Sequence, residues 1–481
     1  MKIKKCIVIG AGNAGRPVAK LLNYVGVEVV MTDTKTMDEF TPRFQDYLRE
    51  LEQMGITLSL GVKSPDISGF DAIYLAPTIP ESAPIRKMAN DADIYIVTHE
   101  YVSKLIDDIL DMDKIGITGS FGKTTTTTMI TNIFRAAGYN VYHCSSMKQN
   151  LVSEALVNDI IKGEHIGADI AILELPHGTI GLLRGLTLKI GVLTNVLAEH
   201  LSEFGGSMQK YADRKAMMLD MCDKMIANCQ CGDIVTHKRK DTIYYNMQSS
   251  YSKDFDTEKY PPKFTSYFED GVFHVNYEEN GNIIDETFKL DSIANYNYEN
   301  LTAAVAVGIT YGLSMEDIKK GIGLFESVGG RMEYLGNYNG ADAYYDASFG
   351  PSIRQALEAV KDRNIIVVFG FLDTTTIRDK KENGKIVGEY ANMVIATGYA
   401  ELMGELNMDN ALELLNAIEN KDVIKLAVCD VEEASELAVK YAKPGDIIVH
   451  LGTGASNSYQ EVKDKLLKGL TQGSKRYARR D

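Results

Sequence analysis

The chain has 481 residues, too many for one hydrophobic core, so about three domains are expected. Its 66 acidic and 51 basic side chains leave a net charge of −15, which disfavours a nucleic-acid-binding surface, and its six cysteines form no CxxC, as in a reducing cytoplasm. No apolar run approaches the ~20 residues of a membrane span, and the short apolar stretch near the N-terminus leads into a glycine turn, so it reads as a first strand.

The first segment, 1–108, opens with strand CIVIG and the turn Gly10-Ala11-Gly12-Asn13-Ala14-Gly15. A helix follows over 16–24, then strand VEVVMTD, ending at Asp33. Glycines at this spacing let a backbone approach a diphosphate at a helix N-terminus, and the acid after the second strand suits a ribose hydroxyl. Gly10, Gly12, Asn13, Ala14, Gly15 and Asp33 are therefore expected to hold the nucleotide part of a ligand, on a Rossmann-like fold. By itself this motif reads as an NAD site, and a dehydrogenase is the first rival reading. Strands within 70–80 and 92–100 continue a parallel α/β rhythm.

The second segment, 109–332, begins with an apolar run at 114–118 and then GITGSFGKTTTTT, 116–128. Strand, glycine loop and helix in this order cradle phosphate, so Gly119, Ser120, Gly122, Lys123, Thr124 and Thr125 are expected to bind a nucleotide. Lys123 neutralises phosphate charge and the Thr124 hydroxyl suits Mg²⁺, although Ile117 stands where the usual loop has a further glycine. Two more strands end at Glu174 and Asn195, with His200 just beyond. Ligands of open parallel sheets gather past the carboxyl ends of strands, so Thr124, Glu174 and His200 are expected to bind one or two divalent cations. Taken singly, a glutamate at a strand end and a lone histidine have ordinary structural explanations.

A helical run over 207–222 carries Lys215, which helical periodicity alone would leave solvated. Cys222, Cys229, Cys231 and His237 match no common zinc spacing and read as small buried thiols. Residues 264–290 alternate around the turn pairs Asp270-Gly271 and Asn280-Gly281, giving a small antiparallel sheet. Helices resume at 295. The third segment, 333–481, again alternates strand and helix, with strands within 364–370, 390–398, 423–429 and 446–452. The basic tail KRYARRD reads as a solvated terminus.

These blocks, in this order, resemble the Mur ligases, ATP-dependent amide-bond-forming enzymes of cell-wall peptide assembly. GITGSFGKTTT is similar to the family's GxTGTNGKTTT, LTNVLAEHLSEFGG to TNxxxDHLDxHG, and YADRKAMML to its YxxxK helix. IANYNYENLTAAVAV is similar to GxHNxxNxxAAxAxA, with Ala294 and Tyr296 for glycine and histidine. FESVGGRMEYLG and YYDASFGPSIRQAL resemble FxGVxGRxE and DYAHxPxxxxxAL. The resemblance implies three α/β domains: a Rossmann-like acceptor domain, a central P-loop ATPase-type parallel sheet with a small antiparallel sheet, and a Rossmann-like C-terminal domain for the amino acid. It places Lys123 on the terminal phosphates, Thr124, Glu174 and His200 around Mg²⁺, and Asn297, Arg331 and Asp346 at adenine, phosphate and ribose. Lys215 matches the lysine that many members carry as a carbamate near a second metal, so Lys123, Lys215 and His200 form the implied catalytic set.

In family members with a Rossmann-type first domain, the glycine fingerprint binds the UDP part of the acceptor. The implied ligands are thus ATP, Mg²⁺, a UDP-linked acceptor and an amino acid, in a cytoplasmic monomer or weak dimer without nucleic-acid or membrane partners. Phe121 and Phe349 replace the family's asparagine and histidine, GFLDTTTIRDKK only loosely resembles GxGGDRDxxKR, and no DNPR-like selector follows VIATG. These departures suggest a divergent branch such as the archaeal pseudomurein ligases. A folate, polymer or tetrapyrrole acceptor is the nearer rival to a murein-type precursor.

Overall fold

The computed structural model of the chain describes residues 3–148, 152–198, 201–233, 239–248, 258–290, 292–348, 350–371, 380–400, 404–452 and 459–478. It is an α/β protein with three sheets in three successive regions of the chain.

The first sheet has the order β3-β2-β1-β4-β5, built from β1 (Lys5–Ile9), β2 (Glu28–Asp33), β3 (Thr57–Leu60), β4 (Ala72–Leu75) and β5 (Tyr95–Val97). All its pairs are parallel. Helix α1 (Gly15–Tyr24) follows β1, and α2 (Pro42–Gln53) starts with proline at its first turn, where the missing N–H costs nothing. Ile7, Ile73, Leu75, Ala89 and Ile94 pack on one another in this region's core. β3, whose residues are only half-buried, has too little apolar contrast to stand out in sequence.

The second sheet has the order β14-β13-β12-β11-β10-β9-β6-β8-β7. Its strands are β6 (Asp113–Thr118), β7 (Val141–Cys144), β8 (Ile170–Glu174), β9 (Leu188–Leu193), β10 (Cys222–Asn228), β11 (Ile243–Met247), β12 (Pro262–Glu269), β13 (Val272–Glu279) and β14 (Asn282–Phe288). Its helices include α3 (Lys123–Ala136), α4 (Val152–Lys162), α5 (Met208–Ala216) and α6 (Tyr296–Tyr311). The antiparallel unit is present: Asp270, Gly271, Asn280 and Gly281 all have positive φ, the requirement of the tight turns whose twist matches a hairpin. It is not detached, because β12 pairs in parallel with β11 and carries the sheet onward.

The third sheet contains β15 (Glu333–Tyr338), β16 (Ala341–Asp346), β17 (Ile365–Phe371), β18 (Met393–Ala400), β19 (Glu405–Leu406), β20 (Ile424–Val428) and β21 (Ile447–Leu451). The order is β15-β16-β21-β17-β18-β19, with β20 also pairing β18. β17 and β21 are buried along their whole length, as expected of strands covered on both faces. Separate apolar clusters line the two faces, and helix α7 (Tyr459–Arg476) closes the region.

By internal packing the chain forms two compact units. One holds residues up to Gly116 with Tyr139–Gly191 and Met217–Asp223; the other holds Ile117–Gly138, Val192–Ala216 and the chain from Lys224. Among the described residues no helix is long and apolar enough to cross a membrane.

Candidate active site

The loop between β6 and α3 is shaped by two glycines that the fold itself requires. Gly119 (φ 152°) and Gly122 (φ 79°) are left-handed, and a Cβ on either would lie 1.9 Å from the Thr194 Oγ1 or 2.1 Å from the Asn300 Oδ1. The Phe121 backbone is held from both sides. Its N–H donates to Asn195 Oδ1 at 2.8 Å, and its carbonyl accepts from Asn195 Nδ2 at 3.2 Å and from the Thr194 hydroxyl at 2.5 Å. A side chain mimicking a strand partner fixes the loop through its main chain. Lys123 donates to the Ser120 carbonyl at 2.6 Å, so it curls over its own loop.

The threonines after Lys123 form the start of α3 rather than a loop, and Thr124, Thr125, Thr126 and Thr127 are buried. Thr127 and Thr128 donate their hydroxyls to the carbonyls four residues back, Lys123 and Thr124, at 2.7 and 2.9 Å. This back-bonding satisfies polar groups that burial would otherwise penalise.

One face of α5 supports the loop. Tyr211 and Lys215, one turn apart, reach Ser120 and Gly119: the Tyr211 hydroxyl lies 3.0 Å from Ser120 Oγ, and Lys215 Nζ donates to the Gly119 carbonyl at 2.7 Å. Ser120 Oγ also accepts from the Leu197 N–H. Lys215 is 1 % exposed and sits 4.6 Å over the Tyr211 ring, which corrects the solvated position that helical periodicity alone gave it. Tertiary contact overrode a helix too polar to show its buried face.

Farther along the same unit, Asn297 donates to Ser292 Oγ at 2.8 Å, and Asp346 is 1 % exposed at the end of β16. Burial raises the Asp346 carboxyl above its ordinary range, against the opposing pull of Arg331 and several hydrogen bonds. It accepts from the Met332 N–H at 2.9 Å and from the Tyr296 hydroxyl at 3.3 Å. Tyr296, the replacement for the expected histidine, thus ties α6 to Asp346, a link the sequence did not show. Arg331 donates to the Gly330 carbonyl.

In the other unit, Glu174 ends β8 at 1 % exposure, and its carboxylate accepts from the Ser146 N–H and hydroxyl at 3.0–3.2 Å. His200, His237 and Phe349 lie outside the described residues. Among the described residues no group of three His, Cys, Asp or Glu gathers as a metal cluster. Cys222, Cys229 and Cys231 are buried thiols, and burial pushes Cys229 up to about 12.

The first-sheet turn divides its glycines sharply. Gly10 (φ 104°) would place a Cβ 2.7 Å from Ala76 Cβ, and Gly15 would place one 1.9 Å from the Gly10 carbonyl oxygen. At Gly12 a Cβ meets nothing within 4 Å. Asp33 works within the turn, accepting from the Ala11 N–H at 2.8 Å and the Lys35 N–H at 3.0 Å. No side chain caps the first turn of α1, beside Ala14, and Asn13 accepts from Arg16.

The family model for the Mur ligase middle domain matches residues 117–308, and that for the Mur ligase glutamate ligase domain matches 330–454. The chain belongs to the Mur ligase family. A Methanothermobacter thermautotrophicus protein, described only as uncharacterized, is 36% identical over 231 residues, 48% of this chain and 73% of that one. The UDP-N-acetylmuramoylalanine–D-glutamate ligase of Geobacillus kaustophilus is 26% identical over 453 residues, covering 93% and 92% of the two chains. A pseudomurein peptide ligase type C from Methanothermus fervidus has the same fold, with a TM-score of 0.58 at 20% identity over 96% of this chain and 100% of that one. The MurF ligase of Thermotoga maritima, solved with ADP, also scores 0.58, at 17% identity over 92% and 95%. As a Mur ligase, this protein is an ATP-dependent enzyme that forms amide bonds.

Proposed function

We propose that this Mur ligase joins the carboxylate of a UDP-linked precursor to the amino group of an amino acid, in murein- or pseudomurein-type peptide assembly. One observation carries the reading. The chain has a second glycine turn, distinct from the nucleotide loop, and its Gly12 is neither strained nor packed, so the fold gives no reason for the missing side chain. A diphosphate approaching the backbone supplies that reason. A ligase with one ATP needs a second such turn only for a nucleotide carried by its acceptor.

ATP phosphorylates the acceptor carboxylate, releasing ADP, and the amine displaces phosphate through a tetrahedral intermediate. Negative charge gathers on oxygen in both steps. Lys123 leaves the Ser120 carbonyl for the transferred phosphoryl group, and the loop N–H groups at the start of α3 stabilise the same charge. Asn297 and Asp346 are assigned to the adenine and ribose, and Arg331 to phosphate.

Magnesium supplies charge neutralisation at the phosphates when bound. The Thr124 hydroxyl is a hard oxygen donor of the kind this ion prefers, and a carbamate at Lys215 would be another, whereas an ammonium there would not.

The test is ADP release across a panel of amino acids with UDP-linked acceptors. Stimulation by one acceptor–amino-acid pair is expected, with Gly12→Val raising the acceptor KM at least tenfold and leaving the ATP KM within twofold. Turnover supported by a folate or tetrapyrrole acid without any UDP-linked acceptor would refute the reading.

A further inference from the structure

Arg16 directly follows the glycine turn, yet it is 2 % exposed. Its guanidinium lies over the Phe44 and Tyr47 rings, 4.7 and 4.6 Å from their centroids. Nε and Nη2 donate to the two oxygens of Glu154 on α4, at 3.3 and 2.9 Å, and Glu154 is wholly buried. Nη2 also donates to Asn13 Oδ1 at 3.2 Å. Two rings and one bidentate carboxylate leave the guanidinium no rotational freedom.

A guanidinium only donates hydrogen bonds. Asn13 must therefore turn its carbonyl oxygen inward to Arg16 and its amide nitrogen away from it. Asn13 itself is exposed, and its Nδ2 makes no hydrogen bond to any described residue. The turn thus presents an exposed N–H donor on the residue before the uncapped N-cap of α1, next in sequence to Gly12, where a Cβ would meet nothing. With the amide reversed, the same position would offer an oxygen and repel an anion.

We propose that Arg16 is a positioning residue that makes the turn selective for a phosphate-bearing acceptor, by locking the Asn13 amide with its donor outward. The inference rests on the acceptor reading given above. Arg16 acts without touching the ligand; Asn13 makes the contact.

The experiment measures UDP and ADP binding to the full chain by titration calorimetry. Arg16→Met alone weakens the pairing of the buried Glu154, which Lys20 still contacts, and lowers stability, so it is paired with Glu154→Met, Lys20 keeping its bonds to Glu50 and Asn158. The double variant is expected to melt close to the wild type, to bind UDP at least tenfold more weakly, and to keep ADP affinity within twofold. Asn13→Asp, which retains an oxygen for Arg16 but removes the outward donor, is expected to lose UDP binding to a similar degree. If the double variant recovers both melting temperature and UDP affinity, Arg16 is merely structural and the proposal fails. If Asn13→Asp binds UDP normally, the amide is not the reader and the proposal fails. A wild-type chain that binds no UDP overturns the acceptor reading together with this one.

Discussion

At the residue scale, Lys215 shows best what burial changes. Its helix neighbours are polar, and a lysine there ordinarily extends into water. Instead it is closed off from solvent against the Gly119 carbonyl and the Tyr211 ring. Reaction with CO₂ needs an unprotonated amine, and the carbamate it gives reverses the charge. Lys215→Ala and Lys215→Arg are both expected to lose at least a hundredfold in kcat, arginine failing because it keeps the positive charge. Carbon-13 NMR after labelling with ¹³CO₂ should show a carbamate signal in the wild type and none in the variants; an active wild type without the signal would exclude the modification. This environment was legible only in the resemblance of YADRKAMML to the family's YxxxK helix and in the four-residue spacing of Tyr211 and Lys215, which puts both on one helix face.

At the scale of elements, α6 carries a half-buried carboxyl. Glu299 in its first turn accepts from Asn228 Nδ2 at 2.8 Å and from Gln230 Nε2 at 3.3 Å. Burial raises its carboxyl to about 7, outweighing the hydrogen bond from Asn228. The folded chain therefore keeps a proton that the unfolded chain releases at lower pH, and stability falls as pH rises from the ordinary carboxyl range through about 7. Glu299→Gln keeps an acceptor oxygen without the titration. Its melting temperature relative to the wild type should rise between about pH 5 and about pH 8, and a constant difference would disprove the assignment. Elements with strong period or punctuation were legible in advance: β1, β2, α1, and the hairpins set by Asp270-Gly271 and Asn280-Gly281. β3 and β15 were not, because half-exposed strands leave weak patterns, and neither were β10 and β11, mostly buried strands without alternation whose pairing is decided by distant chain.

At the scale of the molecule, the first sheet shares a compact unit with segments far along the chain, and buried charges hold them together. Lys20, 1 % exposed, donates to Glu50 and Asn158, each at 3.0 Å, and sits 3.3 Å from Glu154. Lys114, Asp107 and Thr187 form a second such group. Removing one member of a buried ion pair costs about 3–5 kcal/mol. Glu154→Gln should thus lower the unfolding transition of this unit in scanning calorimetry and speed hydrogen exchange in α1 and α4, leaving exchange in β17 and β21 unchanged. Equal acceleration in both places would argue against separate units. The chemistry-bearing blocks could be read from sequence because phosphate binding demands glycine, lysine and threonine in fixed order. The clasp of Phe121 by Thr194 and Asn195 could not, since it depends on two loops meeting.

That clasp has an optical consequence. Because the loop is held by the Phe121 main chain, the half-buried ring contributes little to its shape, and the chain contains no tryptophan at all. Phe121→Trp would install the chain's one tryptophan, excited selectively above its tyrosines, next to Lys123 without altering what holds the loop. Its emission would report nucleotide arrival and departure directly, turning a departure from the family's asparagine into a built-in window for stopped-flow measurement.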